Sequence, residues 1–218
     1  MNPHQVTRDF EKELCAYTGA PYAVAVSSCT MALLLAVRYH LEQRAMYELL
    51  RKDESDWAEL CVEIPKRTYV SVPMSIIHAG GRPKFRDEEW RGMYQLKPLP
   101  VWDSARWFTY GLYQSRIWAH EPMLCVSFHW SKTLGIQQGG AVLHDDPDAD
   151  AWLRKARFDG REEGVAPRDQ RFDQVGYHCY MSPEVAAEGL VRLSFLPKHN
   201  DPLPNDDYPD LSKFEIFR

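Results

Sequence analysis

Tyr22–Val37 reads YAVAVSSCTMALLLAV, and its three parts decide the architecture. Tyr22 to Val26 is a short apolar run, a candidate buried strand. Ser27-Ser28-Cys29-Thr30 is a turn whose hydroxyls can cap a helix, and from Met31 a helical pattern continues to about Arg51. A strand that passes through a polar turn into a helix is the building unit of an α/β fold, and such folds place ligands where strands end and helices begin. The free N–H groups and positive dipole end of that helix suit a phosphate. Taken alone, the same turn is also an ordinary N-cap.

Outward from this unit the alternation continues. Val6, Phe10, Leu14 and Tyr17 recur at helical spacing before it, with Gly19 as a stop. After it, Cys61 to Ile64 reads as a strand that Pro65 ends, and residues 69–79 as a helix closed by Gly80-Gly81. Further strands are expected at 83–85, at 99–102 running into Asp103, at 124–128, and at 141–144 behind Gly139-Gly140. Helices are expected near 148–158 and 183–195. The pattern predicts an α/β domain over 1–197, a mostly parallel sheet sandwiched by helices. Residues 198–218, rich in Asp, Pro and Asn, read as an extended arm or surface coil.

The chain has 218 residues, and its 44% hydrophobic and 26% charged content excludes wholesale disorder. A formal charge of −5 gives no electrostatic reason to expect nucleic acid or an anionic membrane as partner. The longest apolar run, Met31 to Val37, is too short to span a bilayer, and the first residues are too polar for a secretory signal, so a cytoplasmic location is expected. Five scattered cysteines without C-x-x-C, and eight histidines without H-x-x-x-H, give no support for a disulfide framework or a metal site.

Three further residues stand at expected strand ends. Asp103 closes VWD, where a carboxylate can hold a cationic group, cap a helix or face solvent. Lys132 follows the strand in SFHWSK; a lysine drawn into a cleft can lose its proton and attack a carbonyl, whereas most lysines are solvated. Ser127, five residues before it, can add a hydroxyl to a phosphate site.

The order of these segments resembles the sugar-nucleotide aminotransferases of the DegT and StrS type, enzymes that use pyridoxal phosphate on the aspartate-aminotransferase fold. FEKELCAYTGAPYAVAVSSCTMALLLAV is similar to that family's opening, and VEIPKRTYVSVPMSIIHAGGRPKFRD to its second strand, aromatic-bearing helix and third strand. VWDSARWF resembles E-D-A-A-Q, CVSFHWSKTLGIQQGGAVLHDD resembles S-F-H-x-x-K-N-L with its G-G-A-V strand, and GYHCYMSPEVAAEGLVRL resembles G-Y-N-Y-R-M-S-E-x-Q-A-A-x-G-L.

The resemblance implies a role for each position. Lys132 would carry pyridoxal phosphate as a Schiff base and shuttle the proton, and Asp103 would pair with the pyridine nitrogen, with Asp87 as the next candidate. Tyr69 would stack on the ring, and Cys29, Thr30, Met31 and Ser127 would line the phosphate cup. Arg106 stands beside the cofactor where the family has Gln or His. His178 and Tyr180 replace the Asn and Arg of a segment that reaches the neighbour's phosphate, so a homodimer with shared sites is implied. Cys29 stands for a common glycine, and Asp159 for the usual His of R-N-H-G. By the resemblance, the small C-terminal domain is expected to be largely absent. The implied activity is ping-pong transfer of an amino group from glutamate or glutamine to a nucleotide-linked keto-sugar. A degenerate binding or assembly relative, or another pyridoxal-phosphate reaction on the same scaffold, remains the alternative.

Overall fold

A computed structural model describes residues 4–51, 61–115, 121–205 and 207–217. Its elements follow the chain as α1 (Gln5–Thr18), β1 (Tyr22–Val26), α2 (Cys29–Arg51), β2 (Cys61–Pro65), α3 (Ser71–His78), β3 (Arg82–Arg86), β4 (Tyr94–Leu96), β5 (Val101–Asp103), β6 (Met123–Ser127), β7 (Gly140–His144), α4 (Pro147–Ala156) and α5 (Pro183–Phe195). Five strands form one sheet in the order β1-β7-β6-β5-β4, and β2 and β3 pair separately. Successive strand residues point to opposite faces. Val24, Val26, Val101, Cys125 and Val142 accordingly pack with Leu33 and Val37 of α2 and with α3 and α4. Ala23, Ala25, Leu124, Val126 and Leu143 pack on the other face with Phe10 and Leu14 of α1 and with α5. Helices thus cover both faces, as the sequence pattern predicts.

The parallel direction expected of most strands does not hold. Within the five-stranded sheet only β5 and β6 run parallel; β1·β7, β6·β7 and β4·β5 are antiparallel. The connections explain this. Parallel neighbours need a crossover of a dozen or more residues. Instead, β4 reaches β5 through the tight Lys97–Pro100 turn, and the loop after β6 folds back on itself. There Phe128 N–H donates to Gly139 O at 2.9 Å and Ile136 N–H to Phe128 O at 2.9 Å. The β2·β3 pair is parallel, joined by α3.

α1 is tied to the sheet by buried charge. Glu11, 4% exposed, accepts from Ala25 N at 2.8 Å, from Arg154 Nη1 at 2.7 Å and from Arg157 Nη1. Arg157, fully buried, also donates to Ala25 O at 2.7 Å and to Glu163 Oε1 at 3.0 Å. Buried charges persist only when partnered in this way.

Residues 198–205 and 207–217 are extended, apart from 3-10 turns at Leu211–Lys213 and Glu215–Phe217, and are tied to the domain. Tyr110 N–H donates to Lys198 O at 2.9 Å, Trp107 Nε1 to Asn200 O at 3.0 Å, Leu203 N–H to Arg106 O at 2.8 Å and Leu211 N–H to Lys66 O at 2.8 Å. Leu211 and Phe217 are buried, the latter edge-on to Phe85 at 6.1 Å. Among the described residues no helix is long and apolar enough to cross a membrane, and no group of His, Cys, Asp and Glu could hold a metal ion.

Candidate active site

A cavity of about 560 Å³ opens where the β1–α2 turn meets the ends of β5 and β6. Cys29, Thr30, Tyr69, Asp103, Arg106, Ser127 and Lys132 all line it. The β1–α2 turn is shaped by its own cap and by its approach to β7. Ser28 Oγ accepts from Met31 N–H at 3.2 Å and Ser28 O from Ala32 N–H at 3.0 Å, which caps the first turn of α2. Gly140 of β7 lets that turn approach: a Cβ there would lie 2.5 Å from Cys29 N and 2.6 Å from Ser28 C. Thr30 Oγ1 donates to Ser71 Oγ at 3.0 Å, and Ser75 Oγ donates to Thr30 O at 3.1 Å, joining α2 to α3 at the cavity wall.

Asp103 is 5% exposed and fully engaged. Its Oδ1 accepts from Ala105 N–H at 2.9 Å, and its Oδ2 from the Tyr94 hydroxyl at 2.7 Å. Tyr94, at 2.6 Å from Thr68 Oγ1, in turn accepts from that hydroxyl. Burial raises the Asp103 pKa above the usual carboxylate range, while the Ala105 N–H, the Tyr94 hydroxyl and the Lys132 charge act against the rise. Burial likewise pushes the Cys29 thiol well up, with Asp103 adding to it. Lys132 is half-buried on the folded-back loop, its N–H donating to His129 O at 2.7 Å.

Three expected site residues lie elsewhere. Met31 lends its N–H to the cap, but its side chain packs against the core and does not line the cavity. His178, with a side chain 69% exposed, holds the Asp159 carboxylate at 2.9 Å through Nδ1. Tyr180 bridges Val26 and packs edge-on to Phe158 at 5.1 Å and His4 at 5.6 Å. Neither enters the cavity of its own chain. Asp87 is 81% exposed and paired with Lys66 at 2.7 Å.

Sequence reasoning missed Tyr94, Thr68, Trp90 and Tyr208. A signal existed for the first: reading Lys97–Pro100 as a hairpin turn places Tyr94 directly opposite Asp103. A larger cleft, about 740 Å³, lies at Arg8, Glu11, Cys15, Arg154 and Glu163. Arg8, Arg154 and both glutamates there are engaged in the ion pairs that hold α1 and α4. Its thiol, Cys15, is pushed up to about 11 by burial and Glu11. The smaller cavity, with a buried carboxylate, an amine and a hydroxyl-lined helix start, is the one equipped for chemistry.

The sequence model of the DegT/DnrJ/EryC1/StrS aminotransferase family matches residues 4–101 and 76–201. The chain belongs to this family. The spore coat polysaccharide biosynthesis protein SpsC of Bacillus subtilis (strain 168) is 26% identical over 223 aligned positions, covering 87% of this chain and 56% of SpsC. Among solved structures, a putative PLP-dependent aminotransferase from Bacillus cereus ATCC 10987 superposes with a TM-score of 0.66 at 16% identity, covering 87% of this chain and 58% of its own. The sugar aminotransferase CalS13 from Micromonospora echinospora gives 0.66 at 19% identity, with 88% and 60% covered. These likenesses show the family's fold. The chain spans less than two thirds of each of these relatives.

Proposed function

We propose that this chain is a pyridoxal-phosphate-dependent aminotransferase acting on a sugar. The observation that carries the proposal is the joint presence of Asp103, Lys132 and the capped start of α2 in one cavity. The donor set suits the cofactor: a buried carboxylate for a ring nitrogen, an amine for an aldehyde, and hydroxyls beside a helix N-terminus for a phosphate. When bound, pyridoxal phosphate supplies an aldehyde for amine exchange and a ring that withdraws electrons. Lys132 Nζ would hold it covalently and, once displaced by the incoming amine, take and return the substrate proton. Asp103 would keep the ring nitrogen protonated, Tyr69 would cover the ring, and Cys29, Thr30 and Ser127 would surround the phosphate. Met31 adds its backbone N–H to the capped turn.

In the first half-reaction glutamate or glutamine would give its nitrogen, take up one water and leave as a keto acid; in the second a nucleotide-linked keto-sugar would receive that nitrogen and give up its carbonyl oxygen as water. Family membership and the sugar aminotransferase neighbour support a sugar as acceptor. The test is a donor screen. The loaded protein should be yellow, and one amino donor should bleach the visible band in a single turnover, with a keto-sugar restoring it. A protein that binds pyridoxal phosphate but exchanges with no donor would instead be a binding relative.

The working unit is proposed to be a cytoplasmic homodimer in which His178 and Tyr180 serve the partner's cavity. The exposed His178 imidazole, unused in its own chain's cavity, motivates this. Co-expressed Lys132→Ala and His178→Ala chains, each inactive alone, should regain part of the activity as hybrids. A sedimenting monomer that still turns over, or no rescue in a confirmed hybrid, would reject the shared site.

A further inference from the structure

Among the described residues, every one that lines the cavity falls within 28–139 except Tyr208. Tyr208 also lies beyond residue 201, where the family match ends. The tail that carries it is clamped on both sides. Upstream, Leu203 N–H donates to Arg106 O at 2.8 Å and Asn205 Nδ2 to Trp90 O at 2.5 Å. Downstream, Leu211 is buried and its N–H donates to Lys66 O at 2.8 Å; Arg67 Nη1 holds Tyr208 O itself at 3.3 Å. Between these ties the Tyr208 ring stacks on Trp90, with centroids 6.4 Å apart at 15°, and its hydroxyl lies 3.5 Å from Arg106 Nη1. Trp90 is fixed by its own indole N–H to Arg67 O at 2.9 Å and packs at 4.7 Å on Tyr94, the residue that bonds Asp103. A ring held by this many ties behaves as a wall.

We propose that Tyr208 is a specificity-determining residue of this cavity, a wall supplied by the chain's own tail that limits the size of molecule reaching Cys29 and Lys132. The proposal deepens the aminotransferase reading and rests on it for the nature of the substrate.

The test reads access directly, without turnover. Cofactor-free full-length protein is alkylated with iodoacetamide or, separately, with a bulky fluorescein maleimide, and labelled cysteines are located by peptide mass mapping. Cys125, fully buried in β6, is the internal control for loosening of the whole fold. In the native protein Cys29 should react slowly with iodoacetamide and not at all with the bulky reagent. Tyr208→Ala should speed Cys29 alkylation on the order of tenfold, the scale of one lost aromatic pair, and admit the bulky reagent, with Cys125 still silent. Tyr208→Phe should behave as native, because the ring alone forms the wall. Tyr208→Leu, which keeps an apolar side chain on Trp90, covers the case in which the alanine variant does not fold, and it should give a smaller gain. Unchanged Cys29 labelling in a folded variant overturns the proposal, as does a joint rise of Cys29 and Cys125 in both the alanine and leucine variants. A parallel arm adds pyridoxal phosphate and borohydride to the native protein. Failure to capture the cofactor there would reject the aminotransferase reading while leaving the labelling result to judge Tyr208.

Discussion

Lys132→Ala should abolish both the visible absorption of the loaded protein and all amino transfer, because among the residues lining the cavity it is the amine that can bond an aldehyde. The variant should nonetheless fold. The loop that carries Lys132 is held by backbone groups: Phe128 to Gly139, Ile136 to Phe128, and Lys132 N–H to His129 O. An alanine keeps each of these bonds and loses the Lys132 charge that favours ionised Asp103, so the unfolding free energy should fall by no more than about 2 kcal/mol. Borohydride treatment of native protein followed by peptide mapping should place the label on Lys132. A yellow Lys132→Ala variant, or a label on another residue, would sink the assignment.

The unit around Tyr22–Val37 was legible because each of its parts has a local cause. An apolar run, a hydroxyl cap and a helical repeat do not depend on distant residues, and β1 and the start of α2 fall within two residues of expectation. Strand direction was not legible. β6 and β7 are buried at every position, a pattern that parallel strands show because helices cover both their faces. Here helices also cover both faces, yet the loop after Phe128 folds back and β7 returns antiparallel. Burial reports coverage and says nothing about direction.

The site divides in the same way. Asp103, Lys132, Ser127, Thr30, Cys29 and Tyr69 sit in motifs that local sequence carries, and the fold brings all of them to one cavity. Tyr94 needed the register of a hairpin whose strands are only three residues long. Tyr208 needed the path of a tail whose composition reads as coil. Of its anchors, Leu203 and Leu211 are isolated apolar residues beside prolines and aspartates, and Phe217 ends a short FEIF run, with no period to mark them.

Asp103→Asn should lower the half-reaction rate roughly a hundred- to a thousandfold, the scale on which loss of one preorganised electrostatic partner acts. Without an anion near the ring nitrogen, that nitrogen is not kept protonated and electron withdrawal weakens. The same substitution should stabilise the cofactor-free protein near neutral pH. The sign follows from burial. Asp103 has a folded-state pKa raised above its unfolded value, so between the two values the folded chain binds more protons than the unfolded one. Stability therefore falls as pH rises through the folded pKa, and a carboxyl that must carry its charge out of water burdens the empty site at neutral pH. Asparagine removes that charge and keeps the partners: its Oδ1 can accept from Ala105 N–H, and its Nδ2 can donate to the Tyr94 oxygen, whose hydroxyl then turns to Thr68. Denaturant midpoints of the cofactor-free proteins should favour the variant at pH 7, with the gap closing at acid pH where the native carboxyl is protonated in both states. Activity and stability then move in opposite directions at one residue, as expected where a functional charge is held in an unfavourable place. A variant that is less stable than the native protein at neutral pH, or one that keeps near-native half-reaction rates, would show that Asp103 is a structural carboxylate and that another acid serves the ring.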